Sequence, residues 1–86
     1  DRAKALRDLE SESRKRQQTQ LFIETPYRNR ALFDSILQIC QSNTRLTVAT
    51  DLTLASESVI TRNIQQWKKQ TPPDIERRPT VFLLLA

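Results

Sequence analysis

No glycine occurs among 86 residues, where average usage near ~7% would supply about six. Loops that cradle phosphates need glycine so that the backbone can approach the ligand closely. This stretch therefore cannot supply such a loop, and a nucleotide-like cofactor would need its glycine-dependent contacts from elsewhere. Methionine is also absent and the first residue is Asp1, so the sequence reads as part of a longer protein. There is no histidine and only one cysteine, Cys40. That excludes an internal disulfide and leaves the usual zinc and Cys–His arrangements without ligands. Cys40 falls among apolar residues at helical spacing and reads as a small core residue. No apolar run approaches the ~20 residues of a membrane span, and the closing run 81–86 is strand-sized. No signal peptide is visible, so cytoplasm is the expected location.

What is present is modestly basic: 14 lysines and arginines against 10 acidic residues, a net charge of +4. That balance permits contact with nucleic acid without requiring it. Residues 1–16 read as a helix with a narrow apolar stripe of Ala3, Leu6 and Leu9, extended weakly by Ser13. Glu10 with Arg14 and Glu12 with Arg16 stand in the favourable i,i+4 order. The apolar stretch 19–24 predicts a strand covered on both faces. Thr25-Pro26 then reads as a helix start, because threonine can cap and proline at the first position loses no needed donor. This helix runs to about Gln41 and buries Leu32, Phe33, Ile36, Leu37, Ile39 and Cys40.

After a turn at 42–44, residues 45–51 alternate as a second strand, and 56–61 form a short third one. A helix starting near Thr61 or Asn63 carries Ile64, Trp67 and the stem of Lys68 inward. It stops before Thr71-Pro72-Pro73, since residues preceding proline avoid helical angles. A loop over 74–79 precedes a final strand, 80–85, apolar enough to be central. The fold class is thus α/β, a single domain over 1–86. Its order is helix, then β-α-β-β-α-β, with helices packed on a mixed sheet whose parallel pairs are joined by helical crossovers. Ferredoxin-like domains share this order with many functions, so order alone decides none.

Chemistry in α/β sheets collects at the carboxyl ends of strands, where loops hold polar groups over a rigid platform. Here the first strand ends in Glu24-Thr25-Pro26-Tyr27-Arg28-Asn29 and the second in Thr50-Asp51-Leu52-Thr53. If these strands are parallel, both loops face one cleft. Glu24 or Asp51 would accept hydrogen bonds from an amine or a ribose hydroxyl, and Arg28 would pair with a phosphate or carboxylate. Plainer roles compete: a helix start at Thr25-Pro26, an ion pair between Glu24 and Arg28, a turn capped by Asp51 and Thr53. Arg28 and Arg30 stand at a helix start, where the dipole disfavours cations, and that favours an outside partner for at least one. Trp67 reads as core rather than as a base-stacking platform.

The stretch Phe22-Ile23-Glu24-Thr25-Pro26-Tyr27-Arg28-Asn29 resembles the strand-to-helix motif of the C-terminal domain of the tetrapyrrole methylase family. The similarity is greatest to its small-subunit ribosomal RNA 2′-O-ribose methyltransferase branch, where a strand ends in Glu-Ser-Pro-His-Arg. Asp51-Leu52-Thr53 resembles that branch's Glu-Leu-Thr, Glu57 a glutamate shortly after it, residues 64–67 the next helix, and Pro79-Thr80-Val81-Phe82-Leu83 its last strand. The resemblance spans nearly the whole chain. It departs at Tyr27, where the branch often has histidine, and at Asp51, which replaces glutamate.

The resemblance implies a two-domain enzyme holding S-adenosylmethionine between its halves, with the glycine-rich loops in an N-terminal domain outside this sequence. It implies cofactor contacts from Glu24, Thr25 and Tyr27, from Thr50, Asp51 and Thr53, and from Pro79 and Thr80. It further implies ribosomal RNA as substrate, with Arg28 and Arg30 as RNA contacts, and a homodimer. No catalytic base is assigned. Methyl transfer from a sulfonium depends chiefly on aligning nucleophile, methyl and leaving sulfur. The competing readings are a methyltransferase acting on a porphyrin or another small molecule, and a module that binds RNA or dimerises without chemistry. Arginines and lysines scattered over several segments weigh against a self-sufficient RNA binder.

Overall fold

Charged residues spaced one turn apart hold the first helix, and a single apolar stripe docks it. The computed structural model describes residues 2–86, so the expected start of this helix at Asp1 lies outside the described residues. Helix α1 spans Arg2–Arg16, with ion pairs Arg14–Glu10 at 4.0 Å and Arg16–Glu12 at 2.6 Å along its length. Leu6 is buried and Leu9 packs against the same core. Ser13, expected only to extend the stripe, is fully buried: its Oγ donates to the Leu84 carbonyl at 3.4 Å and accepts from the Ala86 amide at 2.9 Å. With no glycine available, Gln17 takes the left-handed conformation that ends the helix (φ 54°) while the Gln18 amide bonds the Ser13 carbonyl.

The remaining elements are β1 (Gln20–Ile23), a 3-10 turn (Pro26–Arg28), α2 (Asn29–Ile39), β2 (Arg45–Thr50), β3 (Ser58–Asn63), α3 (Ile64–Lys68) and β4 (Thr80–Leu85). This is the expected order. Proline does open the second helical segment, but as a tight 3-10 turn, and Thr25 makes no side-chain cap. Helix α2 ends at Ile39, where extended Cys40 leaves it, two residues earlier than expected. Asn63 starts α3 with a reciprocal capping box: its side chain accepts from the Gln66 amide and the Gln66 side chain accepts from the Asn63 amide.

The sheet order is β1-β4-β2-β3 and every neighbouring pair is antiparallel. The expectation of a mixed sheet with parallel pairs is corrected here. The helical crossovers do join strands of the same direction, β1 to β2 through α2 and β3 to β4 through α3. Each crossover skips one place, however. Strand β4 enters between β1 and β2, and β2 lies between β3 and β4, so the like-directed strands never touch. As expected, the apolar last strand is interior.

All three helices cover one sheet face. The cross-strand row Phe22, Phe82, Val48, Ile60 points toward them, with the Phe22 and Phe82 rings stacked at 5.8 Å. Leu32, Phe33, Ile36, Cys40, Ile64 and Trp67 complete this core, while Leu37 and Ile39 are only partly buried. Ile75, in the loop before β4, is also core, 1% exposed, although its sequence context is that of a plain loop. Trp67 is core as expected. Its Nε1 donates to the Leu46 carbonyl at 2.9 Å, the Phe33 ring meets it edge-on at 5.4 Å, and the Arg62 guanidinium lies 4.8 Å from its ring centre. Lys68 beside it stays exposed, contrary to expectation.

The opposite sheet face carries no helix. Its rows are Leu21, Leu83, Thr47, Thr61 and Ile23, Val81, Ala49, Val59. Leu21 is 64% and Ile23 69% exposed, so β1 is covered on one face and not on both. It is an edge strand, and nothing within the described residues crosses over its outer side. Among the described residues no helix is long and apolar enough to cross a membrane.

A buried carboxylate ties α1 to the turn after α2. Glu10, 5% exposed, accepts from the Gln41 amide at 2.7 Å and the Thr44 hydroxyl at 2.5 Å. Burial, reinforced by the negative charge of Glu10, pushes the Cys40 thiol up to about 12. The folded chain thus resists thiolate formation. That contribution to stability is whole below the unfolded thiol's range and is lost as pH rises from about 9 toward about 12. Urea unfolding across this window is expected to show a steeper loss in the wild type than in Cys40→Ala. Equal pH slopes would remove the thiol from that role.

Candidate functional site

Because β1 and β2 point the same way, their carboxyl ends lie on one sheet edge, with the start of β4 between them. Ile23 stands opposite Val81, Val81 opposite Ala49, and Thr80 opposite Thr50. The Asp51 amide donates to the Pro79 carbonyl at 3.0 Å, carrying the ladder one step past both strands. Over this edge opens a cleft of about 370 Å³. Ile23, Pro26, Leu52, Pro79 and Val81 give it an apolar lining, with Glu24 and Thr80 as its polar members.

Glu24 is braced locally. One oxygen accepts from the Thr25 amide at 2.8 Å, and the other lies 3.9 Å from the Arg2 guanidinium. Its ion-pair partner is therefore Arg2 of α1 and not Arg28, the partner weighed from sequence. Asp51 is 6% exposed. Its Oδ2 accepts from the Ser56 hydroxyl at 2.8 Å and lies 3.6 Å from Arg78, which also reaches Asp74 at 3.6 Å. Asp51 also closes a turn, its carbonyl accepting from the Leu54 amide, as the plainer sequence reading allowed. Thr53 adds nothing to that turn through its side chain, but its amide donates to Glu57 Oε1 at 2.7 Å.

Backbone strain gathers around this edge. Asp51, Thr53 and Arg77 take left-handed angles of 53°, 69° and 61°. For Asp this is tolerable, but for β-branched Thr53 it is a true outlier, costing on the order of 1–2 kcal/mol. The surrounding bonds hold the loop in place: Thr53 N to Glu57, Leu54 N to Asp51 O, and Glu57 N to Leu54 O.

A residue to which the sequence assigns no role organises the cleft's far wall. Asn29, wholly buried at the start of α2, directs Nδ2 at the carbonyls of Ile75 (2.9 Å) and Arg78 (2.6 Å) and at the Thr80 hydroxyl (3.1 Å). Two amide hydrogens serve three acceptors, so at least one bond is shared. Thr80 passes its own proton to the Arg78 carbonyl at 3.0 Å. Asn29 Oδ1 is buried without a hydrogen-bond partner among the described residues. Asn29 thereby fixes the loop that delivers Pro79 and Thr80 to the cleft. An asparagine one turn past a helix-opening proline was the only signal, and it reads equally well as a capping residue.

Of the residues expected at a cofactor site, Glu24, Pro79 and Thr80 line the cleft. Thr50 and Asp51 are buried directly behind it. Thr25, Tyr27 and Thr53 are exposed and outside the lining. Arg30 is engaged within its own helix by Asp34 at 3.0 Å, whereas Arg28 lies 5.6 Å from the Tyr27 ring centre. The apolar lining, Ile23, Leu52 and Val81, was missed because each reads as ordinary strand or loop filling until the register aligns them. Among the described residues, no three potential ligand side chains cluster as a metal site would require. Compared with known proteins, the chain matches no family model and no curated relative.

Proposed function

We propose that this chain is the C-terminal half of an S-adenosylmethionine-dependent methyltransferase acting on ribosomal RNA, with its cofactor resting on the strand-end cleft. The observation that carries the reading is the convergence of Glu24, Pro79 and Thr80, with Asp51 behind them, on one sheet edge. The sequence resemblance implies these residues as cofactor contacts from three separate segments. The residues suit such a group. An apolar lining accepts a purine or a thioether chain, and the Glu24 carboxylate at the rim accepts hydrogen bonds from an amine or from ribose hydroxyls. The cofactor would supply an electrophilic methyl on sulfonium. The part of this chain is to bind and orient: Glu24, held by Thr25 and Arg2, presents an acceptor, and the strained 51–57 loop keeps Asp51 and Leu52 in position. The rest of the reading is an N-terminal domain that closes the cleft, a homodimer and a cytoplasmic enzyme. The uncovered apolar sheet face is available for those contacts.

Calorimetric titration of S-adenosylmethionine into the chain joined to its N-terminal half tests this. Glu24→Ala is expected to weaken binding about 10- to 100-fold, the loss of one charge-assisted hydrogen bond of roughly 1.5–3 kcal/mol. Asp51→Asn is expected to weaken it in the same direction, through the loop that Asp51 holds with Ser56 and Arg78. Unchanged affinity in both variants would remove the cleft from the cofactor's path. An absence of binding in the unaltered protein would overturn the methyltransferase reading itself.

A further inference from the structure

Beside the cleft, at the 3-10 turn, the Tyr27 ring and the Arg28 guanidinium stand together, and the backbone of Arg77 meets the same turn from the loop before β4. Tyr27, the only tyrosine, is 55% exposed. The Arg28 guanidinium lies 5.6 Å from its ring centre. The Arg77 amide donates to the Pro26 carbonyl at 3.0 Å, setting Arg77 against the same turn from the loop before β4. Arg77 takes a left-handed backbone to do so (φ 61°). Neither Arg28 nor Arg77 has a carboxylate within ion-pair distance among the described residues, in contrast to Arg30 and Arg78 nearby. Arg28 also stands at the start of the eleven-residue α2, where the helix dipole disfavours a cation and favours an anion beside it.

We infer that Tyr27, Arg28 and Arg77 form a seat for one unstacked nucleotide of single-stranded RNA. The base stacks on Tyr27 and the adjoining phosphates lie between the two guanidiniums. A nucleotide offers both a π face and an anion at adjacent positions, which is what this trio can receive. An acidic peptide offers only the anion and would leave Tyr27 unused. The seat rests on the reading of an RNA-modifying enzyme, names its substrate side, and moves Tyr27 from cofactor to RNA.

The experiment is titration of the 86-residue chain with an eight-nucleotide oligouridylate, followed by fluorescence anisotropy of labelled RNA and by the proton resonances of the single tyrosine. Binding at low salt with an upfield shift of the Tyr27 ring protons is expected. In the double variant Arg28→Gln, Arg77→Gln, the slope of log affinity on log salt should fall by about 1.4, from ~0.7 per neutralised phosphate of a single strand. Tyr27→Ala should weaken binding about 5- to 150-fold, the range for losing one stacked base, while Tyr27→Phe retains it. No binding at low salt, an unchanged slope, or equal binding of a polyglutamate peptide without the tyrosine shift would each overturn the seat. Cofactor titration on the same variants separates the two ideas. A methyltransferase whose cofactor affinity stands while the RNA slope is unaltered loses only the seat. A chain that shows the RNA effects but, joined to its N-terminal half, binds no cofactor keeps the seat and loses the enzyme.

Discussion

Asn29→Asp is expected to make this chain's stability fall as pH rises from 4 to 8, with most of the native population lost near neutrality. The change is one atom in size, but it reverses the polarity of a buried group. Nδ2 now donates to two carbonyls and a hydroxyl. A carboxylate in its place would meet the oxygens of Ile75 and Arg78 with no proton to offer, in a position wholly out of water. Its folded pKa must therefore lie above the unfolded value near ~3.9. The sign follows from linkage: stability is whole below the unfolded pKa, where the protonated group can still donate once, and is lost as pH rises through the folded pKa. Asn29→Ala, which removes the Nδ2 bonds and leaves the Ile75 carbonyl only the Arg78 amide and the Arg78 carbonyl only the Thr80 hydroxyl, should cost on the order of 1–3 kcal/mol without that pH dependence. Urea midpoints for the wild type and both variants across this range decide the matter. Parallel curves for the wild type and the aspartate variant would show that Asn29 does not pin the 75–80 loop as described.

Phe33→Ala should be the most damaging single truncation. Phe33 is wholly buried and meets the Trp67 ring edge-on at 5.4 Å, so it is the joint between α2 and α3. Removing a buried phenylalanine typically costs about 3–5 kcal/mol. Small domains have only about 5–15 kcal/mol in total. At roughly 4–8 °C per kcal/mol for a chain of this size, the thermal midpoint should drop by about 15 °C or more. Circular dichroism melts of Phe33→Ala against Phe33→Leu, which refills most of the volume, give the comparison. A shift under about 5 °C, near what a single kcal/mol produces, would mean the joint is not a load on the core.

The sequence made the helical stripes, the α3 start at one of two capping candidates, the buried Trp67 and Cys40, and the interior last strand readable, because each depends on local spacing or on apolar content. Pairing was another matter. Whether like-directed strands touch depends on where β4 inserts, and a crossover helix has the same pattern whether it skips a place or not. That is why the pattern of an antiparallel sheet reads as a mixed one and that of an edge strand, Gln20–Ile23, as a covered one. At the cleft, Glu24 is legible as a polar residue at a strand end, whereas Thr80 comes only from the sequence resemblance. Ile23, Leu52 and Val81 are not legible, since their shared surface arises only from register. Asn29 escaped for a similar reason: its partners lie 46 to 51 positions away, beyond the reach of any local pattern.

The Ser13 hydroxyl has a kinetic consequence. It joins α1 to the end of β4 across sequence separations of 71 and 73 residues, and Leu6 packs on a core made of later segments. Until β4 has zipped between β1 and β2, α1 has no completed surface to lie against. An isolated helix of fifteen residues is marginal in water. The first element of the chain is thus among the last to become ordered, after the non-local pairing of β4 between β1 and β2 has set the pace of folding. Substitutions along α1 should then speed unfolding while leaving the folding rate nearly untouched.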